Sequence, residues 1–406
     1  MRILFLTHRL PYAPNRGDRI RAYHIARQLS RRSDVDLLSL THDDEEESHA
    51  TDLDAMVARV RTARVRRVTN LARAAVALPT SRPLTHALLD APDLRTTLAQ
   101  MVADRRPDVV LAYCSGMARL VFDESLREIP AVVDFVDVDS EKWGALARVS
   151  RPPRSWIYRR EHRRLADFEA TAARHAKATL VVNEREQASL VRLAPDALVH
   201  VVPNGIDLST FQPAAQPSPD AAVIFCGVMN YAPNEQAALW LAKAVWPLVR
   251  TQRPDATLFL VGANPTPAVR ALAARDRSVT VTGTVPDVRP FLQRATLAAA
   301  PLATARGIQN KVLEAIACGL PSIVTPAVFE GLPVEAAPAC RIAKGPDAFA
   351  TSILDMLNRT PAERRAVAMR ADLSALGWAQ RLAPLVDILH EAAGFRVARP
   401  ALAYSR

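Results

Sequence analysis

Glycine is scarce in this 406-residue chain: there are 13, about 3% against a usual ~7%. The first apolar stretch runs into HRLPYAPNRGDR and not into a compact Gly-x-Gly-x-x-Gly turn, which argues against a nicotinamide-dependent oxidoreductase. Cysteine is scarcer still. Cys114, Cys226, Cys318 and Cys340 lie far apart, so neither a disulfide framework nor a metal-ligand spacing is present. No apolar run approaches the ~20 residues of a membrane span. Ile3 to Thr7 reads as a short buried strand and not as a secretory leader, so the expected location is cytoplasmic. A nucleic-acid module is missing as well, with no platform of alternating aromatic and basic residues.

What the chain does have is length and positive charge. At 406 residues it exceeds the size at which one core keeps growing, and two domains of similar size are expected. The net charge of +10, from 52 basic and 42 acidic residues, suits a polyanion, an anionic membrane face or a phosphorylated substrate, and does not choose among them. The few glycines are informative in their placement. Gly227, Gly262 and Gly283 each follow an apolar strand, and Gly17, Gly205, Gly307 and Gly319 sit in turns. Glycine at the carboxyl ends of strands is what α/β ligand sites need for close backbone approach.

In chain order, Arg2 to Thr7 reads as a buried strand and Asp18 to Ser30 as an amphipathic helix. The loop between them carries His8, Arg9, Arg16 and Arg19 at the strand's carboxyl end, where open α/β sheets bind ligands; a solvated basic loop is the competing reading. Val35 to Leu40 is a second strand, and Asp43 to Glu47 reads as a solvated linker. Residues 50 to 107 are mostly helical, with a short strand near Val65 to Val68. Asp108 to Tyr113 is a strand that turns at Cys114 to Met117 into a helix. Ala131 to Phe135 delivers Asp134, Asp137, Asp139, Ser140 and Trp143 to its end. Those carboxylates suit a general base or a sugar-hydroxyl acceptor, while Asp139 or Ser140 is the expected N-cap of the next helix. Asp137-Val-Asp139 superficially resembles a metal–phosphate motif, but so short a pattern has many chance matches, and no metal site is expected.

Arg154 to His175 reads as a long arginine-rich helix with Trp156, Ile157, Leu165 and Phe168 on an apolar side; it either faces anionic lipid or covers the sheet and solvates its basic face. Thr179 to Val182 is the last strand expected before HVVPNGID, residues 200 to 207. Pro213 to Asp220 reads as an extended linker. A second alternation of strands and helices then begins: Ala222 to Cys226 into Gly227–Asn234 and a helix to about Val249, Thr257 to Val261, Val279 to Val281, and Thr296 to Ala300. Repeated β-then-α units imply parallel sheets with helices on both faces. The expected division is 1–200 and 221–375 for two Rossmann-like domains, 201–220 for a linker and 376–406 for a C-terminal helix and tail. Trp378 and Leu385 are the expected docking residues of that tail, which crosses back to the first domain.

The densest chemistry lies in LAAAPLATARGIQNKVLEAIACGLPSIVT, residues 297 to 325: a strand, a polar turn, an amphipathic helix and a second strand. A helix starting near Ile308 points its first N–H groups and the positive end of its dipole at a ligand above the sheet edge. Lys311 and Glu314, three apart, share a helix face and could hold a phosphate and a sugar hydroxyl of one ligand. Ile308, Val312, Leu313, Ile316 and Ala317 form the inward face. An isolated Lys-x-x-Glu would read as a surface ion pair; the strand–turn–helix unit around it favours a ligand.

Taken together, VPNGID (202 to 207), VTGTVPDVRPFL (281 to 292) and KVLEAIACGLPSIVT (311 to 325) resemble the family-4 retaining glycosyltransferases of the GT-B fold. More narrowly, HRLPYAPNRGDRIRAYHIARQL (8 to 29), SGMA (115 to 118), DFVDVDSEKW (134 to 143), NYAPN (230 to 234) and ARGIQNKVLEAIA (305 to 317) look like the sugar transferases associated with exosortase/PEP-CTERM exopolysaccharide systems. The resemblance covers the whole chain and implies two Rossmann-like doubly wound domains facing across a cleft. It further implies a nucleotide-diphosphate sugar bound mainly to the second domain, the acceptor on the first, no cofactor and no metal. Glu314 matches the glutamate that holds the donor ribose, work that suits a carboxylate accepting from a vicinal diol. Val285 stands where relatives contact the base, and Gly17 where backbone approaches the diphosphate. Gly227, Asn230, Asn234, Gly262, Gly307 and Asn310 complete the expected donor side. His8, Arg9, Arg16 and Trp143 make up the acceptor side.

Two departures from the broad family bear on mechanism. Arg306 occupies the position of the first glutamate of the usual Glu-x7-Glu signature, and the Arg and Lys expected after the first strand of the second domain are missing from GVMNYAPN. Lys311 and Arg306 are therefore the expected source of positive charge for the leaving diphosphate. The usual catalytic histidine of the first domain is also not evident; Asp137 or Asp139 stands nearest its place, unless the departing phosphate itself takes the acceptor proton. The expected reaction is metal-independent transfer of a sugar to a lipid-linked exopolysaccharide precursor, with peripheral contact to the anionic cytoplasmic membrane face. The alternatives are a nucleotide-sugar 2-epimerase on the same fold and a non-catalytic scaffold of a polysaccharide complex.

Overall fold

The computed structural model describes residues 1–12, 17–305 and 308–395. It divides into two compact units, one formed by Met1–Gly205 with the chain from Arg381 onward, the other by Ile206–Gln380. Each is a parallel sheet flanked by helices.

The first sheet has seven strands: β1 Arg2–Thr7, β2 Asp34–Thr41, β3 Arg59–Arg64, β4 Val109–Tyr113, β5 Ala131–Val136, β6 Ala178–Val181 and β7 Val199–Val201, in the order β3-β2-β1-β4-β5-β6-β7. Every pairing is parallel. Runs such as Ile3 to Leu6 and Val109 to Tyr113 are buried throughout, as expected of strands covered on both faces. From β1 the chain builds outward through β2 and β3, then returns to place β4 on the other side of β1. The carboxyl ends of β1 and β4 therefore flank the point where strand order reverses, the usual crevice of an open α/β sheet.

The second sheet repeats the plan with six strands: β8 Ala222–Cys226, β9 Thr257–Val261, β10 Val279–Val281, β11 Leu297–Ala300, β12 Ser322–Val324 and β13 Cys340–Ile342, ordered β10-β9-β8-β11-β12-β13. All are parallel, and the reversal lies between β8 and β11. The helix Asn310–Ala317 ends where Gly319, at φ +83°, lets Gly319 N donate to Ile316 O and Leu320 N to Ala315 O. That paired closure satisfies the last carbonyls and turns the chain into β12.

Several expectations are corrected. The strand placed near Val65 to Val68 is β3, at Arg59–Arg64; its alternating arginines and small residues suit an edge strand better than an apolar run does. Thr179 to Val182 is followed by one more strand, β7, which begins at Val199 and takes in His200 and Val201 at the start of HVVPNGID. The acidic run Asp43 to Glu47 is not a solvated linker: Asp43 caps the helix Asp44–Ser48 by accepting from Glu46 N, and Glu46 is buried. Pro213 to Asp220 is bound to the second unit, with Arg365 donating to Ala214 O and Ala215 O and Arg364 to Ser218 O. Trp156 does not turn inward on the helix Arg154–His175 but is 64% exposed, whereas Leu165 is fully buried. Of the two tail residues, buried Trp378 belongs to the second unit and Leu385 to the first. The helix Ala383–Ala392 that carries Leu385 packs on β4 and β5.

Candidate functional site

The second unit concentrates its polar chemistry at the reversal between β8 and β11. The loop leaving β8 enters the helix Ala232–Trp240, and the segment leaving β11 enters the helix Asn310–Ala317. Lys311, in the first turn of the latter, donates from Nζ to Asn234 Oδ1 of the former at 2.6 Å. Its ammonium also lies 5.0 Å above the centre of the Phe225 ring, a cation–π contact from the end of β8. Asn234, buried, is held in turn by its Nδ2 donating to Val228 O at 3.0 Å. One hydrogen bond thus ties together the two helices that flank the crevice.

The glycines expected there do close-packing work. A Cβ on Gly227 would stand 2.8 Å from the Asn234 amide nitrogen, and one on Gly262 would stand 1.9 Å from Gly227 O. Gly262 has φ +147°, so its neighbour's backbone passes where no side chain fits. Gly262 N donates to Thr282 Oγ1 at the end of β10, joining a third strand end to the site.

Glu314 follows Lys311 by one turn and is half-buried. Burial pushes its carboxyl up to about 7, with the Lys311 charge pulling the other way. Burial likewise brings Lys311 down to about 8, opposed by Cys226 and Glu314. Burial and the Glu314 charge raise the Cys226 thiol to about 12, so that sulfur is not a nucleophile near neutrality. A carboxylate and an ammonium whose ionisations are drawn toward neutrality by a partly dry crevice are what a polar ligand would discharge against.

Not every expected residue joins this group. The helix begins at Asn310 and not near Ile308, with Gln309 as its cap residue and Val312 N closing on Gln309 O. Ile308, outside the helix, is 39% exposed and leaves the inward face to Val312, Leu313 and Ile316. Asn230 and Asn310 are exposed. Val285 lies beyond β10, against the cluster that contains Leu292 and Leu320. Arg306 and Gly307 lie outside the described residues, as does Arg16.

In the first unit, His8 stacks on Tyr113, with ring centroids 5.7 Å apart and planes 17° from parallel. This brings the ends of β1 and β4 together at their reversal. Gly17 opens the helix Gly17–Leu29. Arg9 points to Glu46, 3.4 Å away, and Glu46 also accepts from Leu10 N at 3.0 Å and His42 N at 2.9 Å. His42 Nε2 contacts His8 O at 2.9 Å. The loop after β1 is therefore anchored by a buried carboxylate that sequence reading set aside. The capping expectation for Asp139 and Ser140 also fails: Val138 is the cap residue of the helix Asp139–Val149. Asp139 accepts from Ser115 Oγ at 2.5 Å, and Ser140 binds Glu169 through both its N and Oγ. Burial raises the Asp139 carboxyl, and the Ser115 hydrogen bond lowers it. Asp137 is exposed at the end of β5, and Trp143 is half-buried with its ring 5.3 Å from that of Tyr158. Among the described residues no group of three or more His, Cys, Asp or Glu side chains is gathered to hold a metal ion.

Two doubly wound parallel sheets, the second with a lysine, a carboxylate and close-packed glycines at its reversal point, define a protein built of two Rossmann-like α/β domains. The family follows from the sequence of each half. Residues 16–205 match the glycosyl transferase 4-like domain and residues 220–359 the glycosyl transferases group 1 domain, so the chain belongs to the family-4 glycosyltransferases of the GT-B fold and is a glycosyltransferase. No curated protein matches it in sequence. Among solved structures it is similar to a sucrose-phosphate synthase from Thermosynechococcus elongatus, with a TM-score of 0.64 and 17% identity over 96% of this chain and 98% of that one. It is similar also to HepE of Anabaena in complex with UDP-glucose, with a TM-score of 0.59 and 16% identity over 95% and 99%. TarM of S. aureus, in complex with fondaparinux, α-GlcNAc-glycerol and UDP, gives a TM-score of 0.62 at 9% identity over 96% and 99%. At these identities the likeness is one of fold.

Proposed function

We propose that this enzyme is a retaining glycosyltransferase that moves a sugar from a nucleotide-diphosphate sugar, without a metal ion, to a lipid-linked exopolysaccharide precursor of the kind made in exosortase-associated systems. The observation that carries the reading is the Lys311–Asn234 hydrogen bond spanning the β8/β11 reversal, with Glu314 one turn behind it. In this reading Glu314 accepts two hydrogen bonds from the donor ribose. Lys311, helped by Arg306 and the helix N-terminus, carries the charge that develops on the departing diphosphate. The bond from the anomeric carbon to the phosphate oxygen breaks as the bond to the acceptor oxygen forms. The acceptor proton passes to the departing phosphate, and Asp137 or Asp139 orients the hydroxyl. The UDP-glucose held by HepE and the UDP held by TarM, proteins of the same fold, support a nucleotide-diphosphate sugar as donor.

The test is transfer from labelled nucleotide sugars to a polyprenyl-diphosphate-linked acceptor. Lys311→Ala is expected to lower turnover by about 100-fold. Lys243→Ala, at an exposed position in the second unit, is expected to leave it unchanged; equal losses would sink the role of Lys311. Glu314→Gln is expected to raise the donor KM by about ten-fold. The same preparation incubated with donor alone separates the epimerase, which would interconvert sugars without an acceptor. Donor binding with neither reaction would identify a scaffold.

A further inference from the structure

The helix Arg67–Ala77 in the first unit is turned inside out. The face it presents to its own unit is small and polar: Asn70, Ala74 and Ala77 are buried, and Asn70 Nδ2 donates to Leu88 O and Asp90 O. The face it presents outward is apolar. Val68 is 83% exposed, Leu71 56% and Val76 75%, and exposed Ala72 and Ala75 fall between them. Positions 68, 71, 72, 75 and 76 follow the i, i+3, i+4, i+7, i+8 spacing that normally marks a core-facing stripe. Scattered exposed apolar residues need no explanation, but an ordered stripe does.

A second element with an exposed apolar residue is tied to the end of this helix. Arg160, on the helix Arg154–His175, donates to Leu78 O, Ala77 O, Thr80 O and Arg82 O, so that helix is clamped to the end of Arg67–Ala77. Trp156 lies one turn before Arg160 on the same face, and it is 64% exposed. Beside the stripe an open trough of about 630 Å³ is lined by Ala72, Val76, Ala91 and Pro92 together with Arg73, Arg82, Arg95 and one acidic residue, Asp90.

The rim is basic. Arg66 and Arg67 are exposed and make no ion pair among the described residues. Arg73 and Arg82 share Asp90 at 3.7 and 3.1 Å. We infer that this surface, Val68, Leu71, Val76 and Trp156 within a border of arginines, seats the enzyme on an anionic lipid bilayer, with the apolar stripe at the acyl boundary and the arginines among phosphate headgroups. Apolar residues on one face and arginine beside them are the two requirements of an interfacial helix. A second copy of the chain is the poorer occupant, because a symmetric pair would bring two arginine borders together. The inference rests on the proposed lipid-linked acceptor only for its biological use; the surface itself is independent of it.

Flotation of the full chain with vesicles of phosphatidylcholine containing phosphatidylglycerol, without donor or acceptor, tests it. Binding is expected to the anionic vesicles, to weaken as salt rises, and to be largely lost on pure phosphatidylcholine. The double variant L71S/V76S and, separately, R66E/R67E are each expected to lower the bound fraction about ten-fold with far-UV circular dichroism and melting temperature unchanged. Blue-shifted tryptophan emission on vesicle addition, absent in Trp156→Phe, would place the contact at this surface. No flotation at low salt, or flotation unaffected by both variants, overturns the proposal. So does a concentration-dependent dimer abolished by L71S/V76S, which would identify a second copy as the occupant. Because no substrate is present, these outcomes are separate from those of the transfer assay.

Discussion

Lys311 and Glu314 sit a turn apart with opposite displacements, the ammonium down to about 8 and the carboxyl up to about 7, burial being the larger cause for each. The reaction proposed needs Glu314 ionised, to accept from the ribose, and Lys311 protonated, to face the diphosphate. Below pH 7 the carboxyl takes up a proton and above pH 8 the ammonium loses one. The donor kcat/KM, which reports the free enzyme, is therefore expected to be bell-shaped with limbs near those values, belonging to the pair and not to either residue alone. Glu314→Gln should remove the acidic limb and keep the basic one; a profile flat from pH 6 to 9 in the parent enzyme would exclude this assignment. Glu169 gives a different pH effect. Fully buried against Ser140, it is pushed up to about 8 by burial, so the folded state holds a proton that the unfolded chain has released above its ordinary range near 4.5. Stability is thus present in full below about 4.5 and is lost progressively as pH rises from there to about 8, above which both states are ionised. Glu169→Gln is expected to flatten the decline in melting temperature between about pH 5 and pH 8. That Lys311 and Glu314 are neighbours was legible from their spacing, because i and i+3 on a helix share a face, and the strand–turn–helix unit around them, not the spacing, pointed to a ligand. The Glu169–Ser140 pair, 29 residues apart, had no such local signal.

At the scale of elements, long apolar strands such as β1, β4, β8 and β9 were legible, and so was the three-residue β10, Val279–Val281, which leads to Gly283. β7 and β13 have three residues each with His200 and Arg341 at their centres, so neither shows an apolar run, and they exist because a neighbouring strand offers its edge. The acidic run Asp43 to Glu47 shows the same limit for charge. Four of its five residues are exposed and one, Glu46, is buried, and composition cannot say which. Glu46 holds Arg9 and Arg19 at 3.4 and 3.5 Å and accepts from Leu10 N and His42 N. Glu46→Ala would leave two backbone N–H groups without their acceptor and remove the buried carboxylate that faces Arg9 and Arg19, at a cost of about 3 to 5 kcal/mol. Glu45→Ala, on the exposed side, should cost about 0.5 kcal/mol or less. Denaturant midpoints of the two variants check this; similar midpoints would mean the loop after β1 does not depend on Glu46.

At the scale of the whole chain, the two-unit plan was legible because strand–helix alternation occurs twice with a proline-rich interval between. The course of the C-terminus was expected from resemblance and from two apolar residues, only one of which, Leu385, is in the first unit. The reason is that Trp378 follows the bridge between Ile206 and Gly377 and donates to Ile206 O, which holds it to the second unit a few residues before the chain leaves. The first unit thus depends on residues that follow the whole of the second unit in the sequence. Leu382, Leu385, Ile388 and Leu389 are buried, and at about 1.5 to 3 kcal/mol per fully buried aliphatic side chain they contribute about 6 to 12 kcal/mol. That is comparable with the whole stability of an ordinary domain, about 5 to 15 kcal/mol. A chain ending at Gln380 is therefore expected to lose the cooperative melting of its first unit, while the second, which keeps β8 to β13 and the Lys311 site, still melts as a unit. Its transition should still rise with UDP-sugar by mass action if the donor binds there. Leu385→Asp should weaken the first unit in the same direction without removing any residue. Calorimetry on the three proteins decides the matter: a truncated chain that melts in one transition at the parent temperature would show that the first sheet does not need its returning helix.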